Sequence, residues 1–378
     1  MGEPSVLLLH EFGGAFGGAE RYLELLGQGL TAAGASTAAI VFVDDADRAA
    51  SLDDRLAGIA PGATTVVIGR SRPGPIRAAV RAHRPEVLHW NFVDPFAFRG
   101  ATWLLAPWGR PSVITDHLPQ LRHAGPRWES TRRIANRRIA TMIVVGEAAR
   151  AEAQRRWHRP PPLAVIPNGV PIPATAAPRS AWERGPLQVL FVGRLTEQKG
   201  AQQLVPDLAA LRAAGTDARL TIVGEGPLEG EVRTAAREAG LDGHVDVRGF
   251  SPRPLEAMAA ADVLVAPSAF EGLPFTPLEA LSTGLPLVLS DIPPHRELAG
   301  DGVALGIQVV DAADRPAWVD AVRRVGADLA AASSDALVRA RAHEVTHMIE
   351  RTLEVYRRVG AGAASDLDLL GRPADGAR

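Results

Sequence analysis

Short apolar runs recur along the chain, and between them apolar positions return every three or four residues. A brief apolar run bounded by turn residues reads as a buried strand, and the slower return reads as an amphipathic helix packed over it. The runs at 5–10, 37–43, 64–68, 87–90, 112–115, 142–145 and 163–166 predict one set of strands, with helices over 19–33 and 128–140 among the connections. The alternation stops at Pro171-Ile-Pro-Ala-Thr-Ala-Ala-Pro178, which has no period and reads as a linker. It restarts at 187–192, 220–223, 245–247, 263–266, 287–289 and 307–310, and closes on a helical pattern near 340–359 and a Gly/Ala/Asp-rich tail.

Strands alternating with helices build parallel sheets. The sequence therefore predicts an α/β chain of two doubly wound, Rossmann-like domains: 1–172, a linker at 173–186, and 187–345. A terminal helix at about 346–362 can pack back on the first domain, and 363–378 reads as a tail. Such sheets bind ligands beyond the carboxyl ends of their strands, so the chemistry is expected in those loops, in a cleft between the two domains. No short internal repeat is present.

Composition narrows the classes. Hydrophobic content of 46% with 22% charged residues is that of a folded chain, and a net charge of -2 argues against a nucleic-acid partner. Cysteine is absent, which excludes disulfides, thiolate metal sites and a cysteine nucleophile. The apolar run at 5–10 is short for a signal peptide, lacks a basic flank, and leads straight into Glu11; no stretch has the apolar length of a membrane span. Cytoplasmic location is the expectation. Lys199 is the only lysine among 41 basic residues, so a lysine kept where arginine serves elsewhere points to a need for a compact ammonium.

The chemistry concentrates in two places. In Phe191-Val-Gly-Arg-Leu-Thr-Glu-Gln-Lys-Gly200 a strand ends, Gly193 turns the chain, and Arg194 and Lys199 stand just before a helix. Two cations beside a helix N-terminus suit a diphosphate, the alternative being two solvated surface charges. In Ser268-Ala-Phe-Glu-Gly-Leu-Pro-Phe-Thr-Pro-Leu-Glu-Ala-Leu281, Glu271 lies in a loop after a strand and Glu279 about one turn into a helix. Backbone amides around 272–276 can bind hydroxyl or phosphate oxygens there, although Glu279 also suits simple compensation of the helix dipole. The glycines of Phe12-Gly-Gly-Ala-Phe-Gly-Gly-Ala-Glu-Arg21 fit a tight turn or a binding loop. His117, after a strand in Ile114-Thr-Asp-His117, is structural or a ligand contact.

In this order and spacing, Gly17-Gly-Ala-Glu-Arg21, Val165-Ile-Pro-Asn-Gly-Val170, Gly193-Arg-Leu-x-x-x-Lys-Gly200, Val223-Gly-Glu-Gly-Pro227 and the Glu271/Glu279 pair resemble glycosyltransferase family 4, the retaining group with the GT-B fold. The resemblance covers most of the chain. It implies a nucleoside-diphosphate-sugar donor, a UDP-sugar before a GDP-sugar because it is common. The transfer goes to a hydroxyl acceptor on a glycolipid, a glycan or a small glycoside. It implies that Arg194 and Lys199 hold the donor diphosphate, that Glu279 binds the ribose, and that Glu271 contacts the transferred sugar. The backbone of Gly272, Leu273, Pro274 and Phe275 supports the sugar hydroxyls and the phosphate, and Gly17 and Gly18 approach the diphosphate. Gly249 and Phe250, in Arg248-Gly-Phe-Ser251, match the segment that reads the nucleobase, and His117 matches a histidine that reaches the donor sugar. This chain has Asp-His at that point, where many relatives have His-Asp. No cofactor and no metal are implied.

Rival readings divide by chemistry. Asp45-Ala-Asp47 and Asp366-Leu-Asp368 match the acidic pair of metal-dependent transferases, but acidic doublets after strands are commonly solvated turns. A glycosidase also uses two carboxylates, yet 5% aromatic content leaves little for sugar stacking. A dehydrogenase is disfavoured by the absence of Gly-x-Gly-x-x-Gly spacing. A sugar-nucleotide epimerase of the same fold and a non-catalytic nucleotide-sugar-binding homologue stay open. The basic amphipathic stretch Arg127–Ile139 suits a membrane surface or, preferably, a helix on the sheet with a solvated arginine face. Loops at 90–98 and 117–128 are expected to shape the acceptor site.

Overall fold

The computed structural model describes residues 2–12, 16–43, 58–60, 63–68, 73–92, 109–118, 137–156, 160–179, 185–302 and 304–362. The chain divides into two units, one of residues 1–168 with 345–378 and one of residues 169–344. Asp44–Asp47, Asp366, Asp368 and residues 119–136 lie outside the described residues.

The first unit carries seven parallel strands, β1 (Val6–Glu11), β2 (Thr37–Val43), β3 (Thr64–Ile68), β4 (Val87–Phe92), β5 (Ser112–Asp116), β6 (Ile139–Val144) and β7 (Leu163–Val165), in the order β3-β2-β1-β4-β5-β6-β7. Helices α1 (Gly18–Ala32), α2 (Pro73–His83) and α3 (Glu147–Arg156) are among its connections. The strand order reverses between β1 and β4, which pair in register from Val6 opposite Val87 to His10 opposite Asn91. Loops at such a reversal splay apart and leave room for a ligand.

The second unit repeats the plan with six parallel strands: β8 (Leu187–Val192), β9 (Ala218–Val223), β10 (Val245–Val247), β11 (Val263–Ala266), β12 (Leu287–Ser290) and β13 (Ile307–Val310). Their order is β10-β9-β8-β11-β12-β13, with the reversal between β8 and β11. Its helices are α4 (Leu204–Ala213), α5 (Glu229–Glu238), α6 (Pro254–Ala260), α7 (Phe275–Ser282), α8 (Pro293–Ala299), α9 (Arg315–Ala327) and α10 (Leu329–Arg341). Central strands such as Leu287–Ser290 are buried at every residue, which is why they read as continuous apolar runs. Phe191, Leu208, Ile222, Val265 and Trp318 lie in the core between sheet and helices.

A last helix, α11 (Val345–Gly360), belongs to the first unit. It buries Met348, Ile349, Thr352, Leu353, Val355, Tyr356 and Val359, one stripe at helical spacing. Gly29 of α1 lets it approach: a Cβ there would stand 2.4 Å from Ile349 Cγ1. Each aliphatic side chain buried in this seam contributes about 1.5–3 kcal/mol.

Two expected helices differ from the pattern. The helical pattern near 340–359 is two helices, because Val170 N–H donates to the His343 carbonyl at 2.9 Å and a parallel bridge joins Val170 to Glu344, drawing the chain out between α10 and α11. The helix expected over 128–140 is described only at its end, where Arg137 and Arg138 form a turn and Ile139 already opens β6, in register with Ser112. Within 173–186, Arg179 ties the chain to the second unit. Its backbone N–H donates to Ser333 Oγ at 2.9 Å, and its guanidinium donates to the Met258 and Gly284 carbonyls at 2.6 and 3.2 Å.

Candidate functional site

In the second unit the loops after β8, β9 and β10 are laced together by backbone. Gly193 N–H donates to the Val223 carbonyl at 3.0 Å, Leu195 N–H to Glu225 at 2.9 Å, and Gly224 N–H to Gly249 at 2.7 Å. Glycine is what permits this: a Cβ on Gly224 would lie 1.9 Å from Gly193 O, and one on Gly226 would lie 2.4 Å from Leu195 O. The Gly-Glu-Gly stretch thus serves as the backing for the Gly193–Leu195 loop, which Leu195 pins by its complete burial.

The loop then makes a tight turn, Glu197–Lys199, capped by Thr196 and closed by Gly200 at φ 71. A Cβ on Gly200 would meet Pro267 O at 2.2 Å, so the turn sits directly on the chain leaving β11. Ala269 N–H donates to the Gln198 carbonyl at 2.8 Å, and Gln198 Nε2 donates to the Phe270 carbonyl at 3.1 Å. The result is that Lys199 Nζ donates to Glu271 Oε1 at 2.5 Å. The two residues are 72 positions apart in sequence and come from the loops after β8 and β11, the strands that flank the reversal.

Arg194 stays exposed, with Nη2 reaching Gln198 Oε1 at 3.4 Å. Gly272, Leu273, Pro274 and Phe275 are buried and lead into α7, whose first-turn amides have no intrahelical acceptor. Glu279 is half-buried in the second turn of that helix. Gly249, at φ 71, follows β10, and the Phe250 ring beside it is 54% exposed, a large apolar face turned to solvent. Gly193, Arg194, Lys199, Gly249, Phe250, Glu271 to Phe275 and Glu279 all stand at or just beyond the carboxyl ends of strands of one sheet.

Pattern reading missed a residue here. His295, on α8, is fully buried, and its Nδ1 donates to the Ser290 carbonyl at 2.9 Å. Burial pushes its pKa down, while Glu271 pulls it up and Lys199 pushes it down, so it lies within electrostatic reach of the ion pair. Nothing in Pro293-Pro-His-Arg296 distinguishes this histidine from a surface one.

The first unit gathers a second cluster. Gly17 N–H donates to Glu20 Oε2 at 2.8 Å, and Glu20 Oε1 faces His10 Nε2 at 3.1 Å. His10 Nδ1 in turn donates to the Asn91 carbonyl at 2.8 Å. Burial raises the Glu20 pKa, but the hydrogen bond and charge of His10, with the Gly17 and Glu20 amides, outweigh it and hold the carboxyl below its ordinary value. Gly17 and Gly18 are thereby fixed at the start of α1 by a capping carboxylate, the geometry that Gly-x-x-Glu announces.

His117 follows β5, is buried, and holds Asn91 Oδ1 with Nε2 at 2.6 Å. Its ring stacks edge-on to Tyr22, centroids 4.8 Å apart. Behind it runs a polar chain. Tyr356 of α11 bonds His89 Nδ1, His89 Nε2 donates to Thr115 Oγ1 at 2.7 Å, and Thr115 donates to the Tyr22 hydroxyl at 3.2 Å. Burial drives His89 and His117 down to about 3 and Tyr22 up to about 12, so all three are neutral at ordinary pH. The signal for this cluster lies in Val87-Leu-His-Trp-Asn-Phe92: His89 and Asn91 alternate with apolar residues and so share one face of a buried strand.

Among the described residues, no group of three His, Asp or Glu side chains is arranged to hold a metal ion, and no helix is long and apolar enough to cross a membrane.

Comparison with known proteins agrees with this architecture. Residues 16–172 match the model of Glycosyltransferase Family 4, and residues 186–328 match that of Glycosyl transferases group 1. The chain belongs to the family 4 glycosyltransferases. The GDP-mannose-dependent alpha-(1-6)-phosphatidylinositol dimannoside mannosyltransferase of Mycobacterium tuberculosis is 34% identical over 242 residues, 58% of this chain and 60% of that protein. The 2-deoxystreptamine glucosyltransferase of Streptomyces kanamyceticus is 31% identical over 208 residues, 47% of this chain and 52% of that protein. The alignments thus span half to three fifths of these relatives. Anabaena HepE in complex with UDP and glucose superposes with a TM-score of 0.73 at 19% identity, over 93% of this chain and 99% of that one. The pneumococcal O-GlcNAc transferase GtfA gives 0.75 at 10% identity, over 94% and 99%. Likeness at these identities shows the GT-B fold, two Rossmann-like domains in one chain.

Proposed function

We propose that this chain transfers a hexosyl or N-acetylhexosaminyl group from a nucleoside-diphosphate sugar to a hydroxyl acceptor, with retention at the anomeric carbon. The observation that carries the reading is the Lys199–Glu271 pair, set across the strand reversal of the second sheet beside exposed Arg194. A cation and a carboxylate in contact there match a ligand that presents a diphosphate next to sugar hydroxyls.

In this reading the anomeric carbon–oxygen bond breaks and its electrons pass to the leaving diphosphate. Arg194 and Lys199 meet the charge that grows on those phosphate oxygens, which favours the transition state over the ground state. Glu271 accepts hydrogen bonds from the transferred sugar, and Glu279 from the ribose. The backbone N–H groups of Gly272, Leu273, Phe275 and Thr276 face phosphate or hydroxyl oxygens, and the open Phe250 ring with the backbone at Gly249 receives the nucleobase. The acceptor hydroxyl attacks on the leaving-group side and gives its proton to a donor phosphate oxygen. The two cations supply the positive charge, so activity is expected to survive chelation of divalent metals.

UDP-sugars are the first donors to test. GDP-mannose is the second reading, favoured because the mycobacterial relative named for it is 34% identical. Calorimetry of UDP, GDP, ADP and dTDP against the chain, followed by the matching sugar nucleotides, tests the proposal. Micromolar binding of one nucleotide, lost in Lys199→Ala, supports it; equal indifference to all four refutes it.

A further inference from the structure

We propose that His295 is a positioning residue for Glu271: when the diphosphate of a sugar nucleotide draws Lys199 toward itself, His295 Nε2 takes up a proton and the charged ring holds the carboxylate in place. The donor then binds together with a proton. This deepens the functional reading above and rests on it, since the diphosphate at Lys199 belongs to that reading. All the residues involved lie in the second unit.

Hydrogen bonds fix which ring nitrogen is free. His295 Nδ1 stands 2.9 Å from the Ser290 carbonyl, which can only accept, so Nδ1 carries a proton. Ser290 Oγ, 3.2 Å from the same nitrogen, gives its own proton to the Ser268 carbonyl at 2.5 Å. A neutral ring therefore keeps its lone pair on Nε2. That atom is buried and has no hydrogen-bond partner among the described residues. Buried polar atoms are almost always paired, so an orphan beside a candidate site calls for a physical reason.

Its surroundings supply one. Ser268 lies three residues before Glu271, so the Ser290–Ser268 bond ties the His295 ring to the loop that carries the carboxylate. Glu271, its side chain 7% exposed, meets Lys199 Nζ at 2.5 Å. These two are the charges that act on the ring, with opposite signs. Other charges around α8 are engaged elsewhere: Arg296 donates to Asp291 at 2.7 Å, and Arg339 of α10 to the Glu297 carbonyl at 2.7 Å. Burial and the Lys199 ammonium outweigh the Ser290 carbonyl and Glu271, so the ring is neutral in the free protein.

A bound diphosphate reverses that balance. It adds negative charge nearby, and an ammonium shared with phosphate neutralises Glu271 less. Both changes favour a charged ring, and a buried carboxylate short of positive charge is costly. A proton passes from solvent to Nε2, and no other bond forms or breaks.

Sugar nucleotides test this directly, because both phosphates of their diphosphate are esterified and neither titrates near neutral pH. Nitrogen-15 NMR of histidine-labelled protein should show His295 with a protonated Nδ1 and a bare Nε2 without ligand. Both nitrogens should be protonated in the complex with whichever of UDP-glucose, UDP-N-acetylglucosamine and GDP-mannose binds. Calorimetry of that donor in buffers of different ionisation enthalpy should show proton uptake, and its Kd should fall by about three-fold or more from pH 8 to pH 6. His295→Asn keeps a donor for the Ser290 carbonyl but cannot titrate, and should abolish the uptake and flatten the pH dependence. A ring that is charged without ligand, one that stays neutral in the complex, or uptake that survives in His295→Asn overturns the proposal. The NMR outcomes need no variant, so they decide the matter even if His295→Asn fails to fold. A chain that binds none of the three donors instead fails the functional reading, and the proposal falls with it.

Discussion

Lys199 Nζ lies 2.5 Å from Glu271 Oε1, and the carboxylate side chain is only 7% exposed. A buried carboxylate without a cation is costly, so the lysine has a structural duty in the free protein as well as a chemical one with ligand. Lys199→Met is therefore expected to lower unfolding stability by about 3 kcal/mol, while Lys199→Met with Glu271→Gln loses less because neither charge is stranded. Urea unfolding of both variants checks this. A double variant as unstable as the single one would mean the pair contributes no mutual support.

Lys199→Ala should weaken binding of the preferred nucleoside diphosphate by about 1.5–3 kcal/mol, ten- to a hundred-fold or somewhat more in Kd. Glu271→Gln separates the roles. It keeps the shape of the loop and an acceptor for Lys199, and is expected to depress turnover of the sugar nucleotide more than affinity for the free nucleotide. Equal losses in both would assign Glu271 to holding the nucleotide alone.

The strands were legible because parallel strands buried on both faces show as apolar runs, and the loops that follow β8 and β11 were legible because Gly, Pro and charge cluster there. What escaped pattern reading depends on sheet order. Asn91 meets His117 and His10 because β4 lies between β1 and β5, and His295 comes near Glu271 because β12 lies beside β11. No local spacing encodes either neighbour. The break between α10 and α11 was likewise hidden, since it follows from a bridge to Val170, distant in sequence.

Two glycines four residues apart, Gly226 and Gly230, should respond in opposite ways. Gly226→Ala drives a Cβ to 2.4 Å from Leu195 O and 2.7 Å from Leu195 N, backbone atoms of the loop that carries Arg194. The loop must shift, at a cost of about 1–3 kcal/mol, and nucleotide affinity should fall with it. Gly230→Ala meets nothing within 4 Å and lies at the start of α5, so stability should hold or rise by up to about 1 kcal/mol with binding intact. Thermal unfolding and nucleotide titration of the pair give the comparison. Matching losses would show that the close packing of these loops is not what organises the site.

Asp207, in the first turn of α4, predicts how stability follows pH. Burial raises its pKa to about 6 against the bond and charge of Arg315, whose Nε donates to Asp207 Oδ1 at 3.0 Å. Because the folded-state value exceeds the unfolded one of 3.8, the folded chain holds this proton more tightly. Between those two values the unfolded chain has released the proton that the folded chain retains, so this group's contribution to stability declines as pH rises, by on the order of 1–3 kcal/mol. Asp207→Asn keeps an acceptor for Arg315 and removes the titration. Denaturant unfolding at pH 4, 5, 6 and 7 should find the variant close to the parent at the acid end and progressively more stable than it toward pH 7. A constant difference across the series, or one that reverses sign, would mean that the Arg315 ion pair outweighs burial and that Asp207 is ionised throughout.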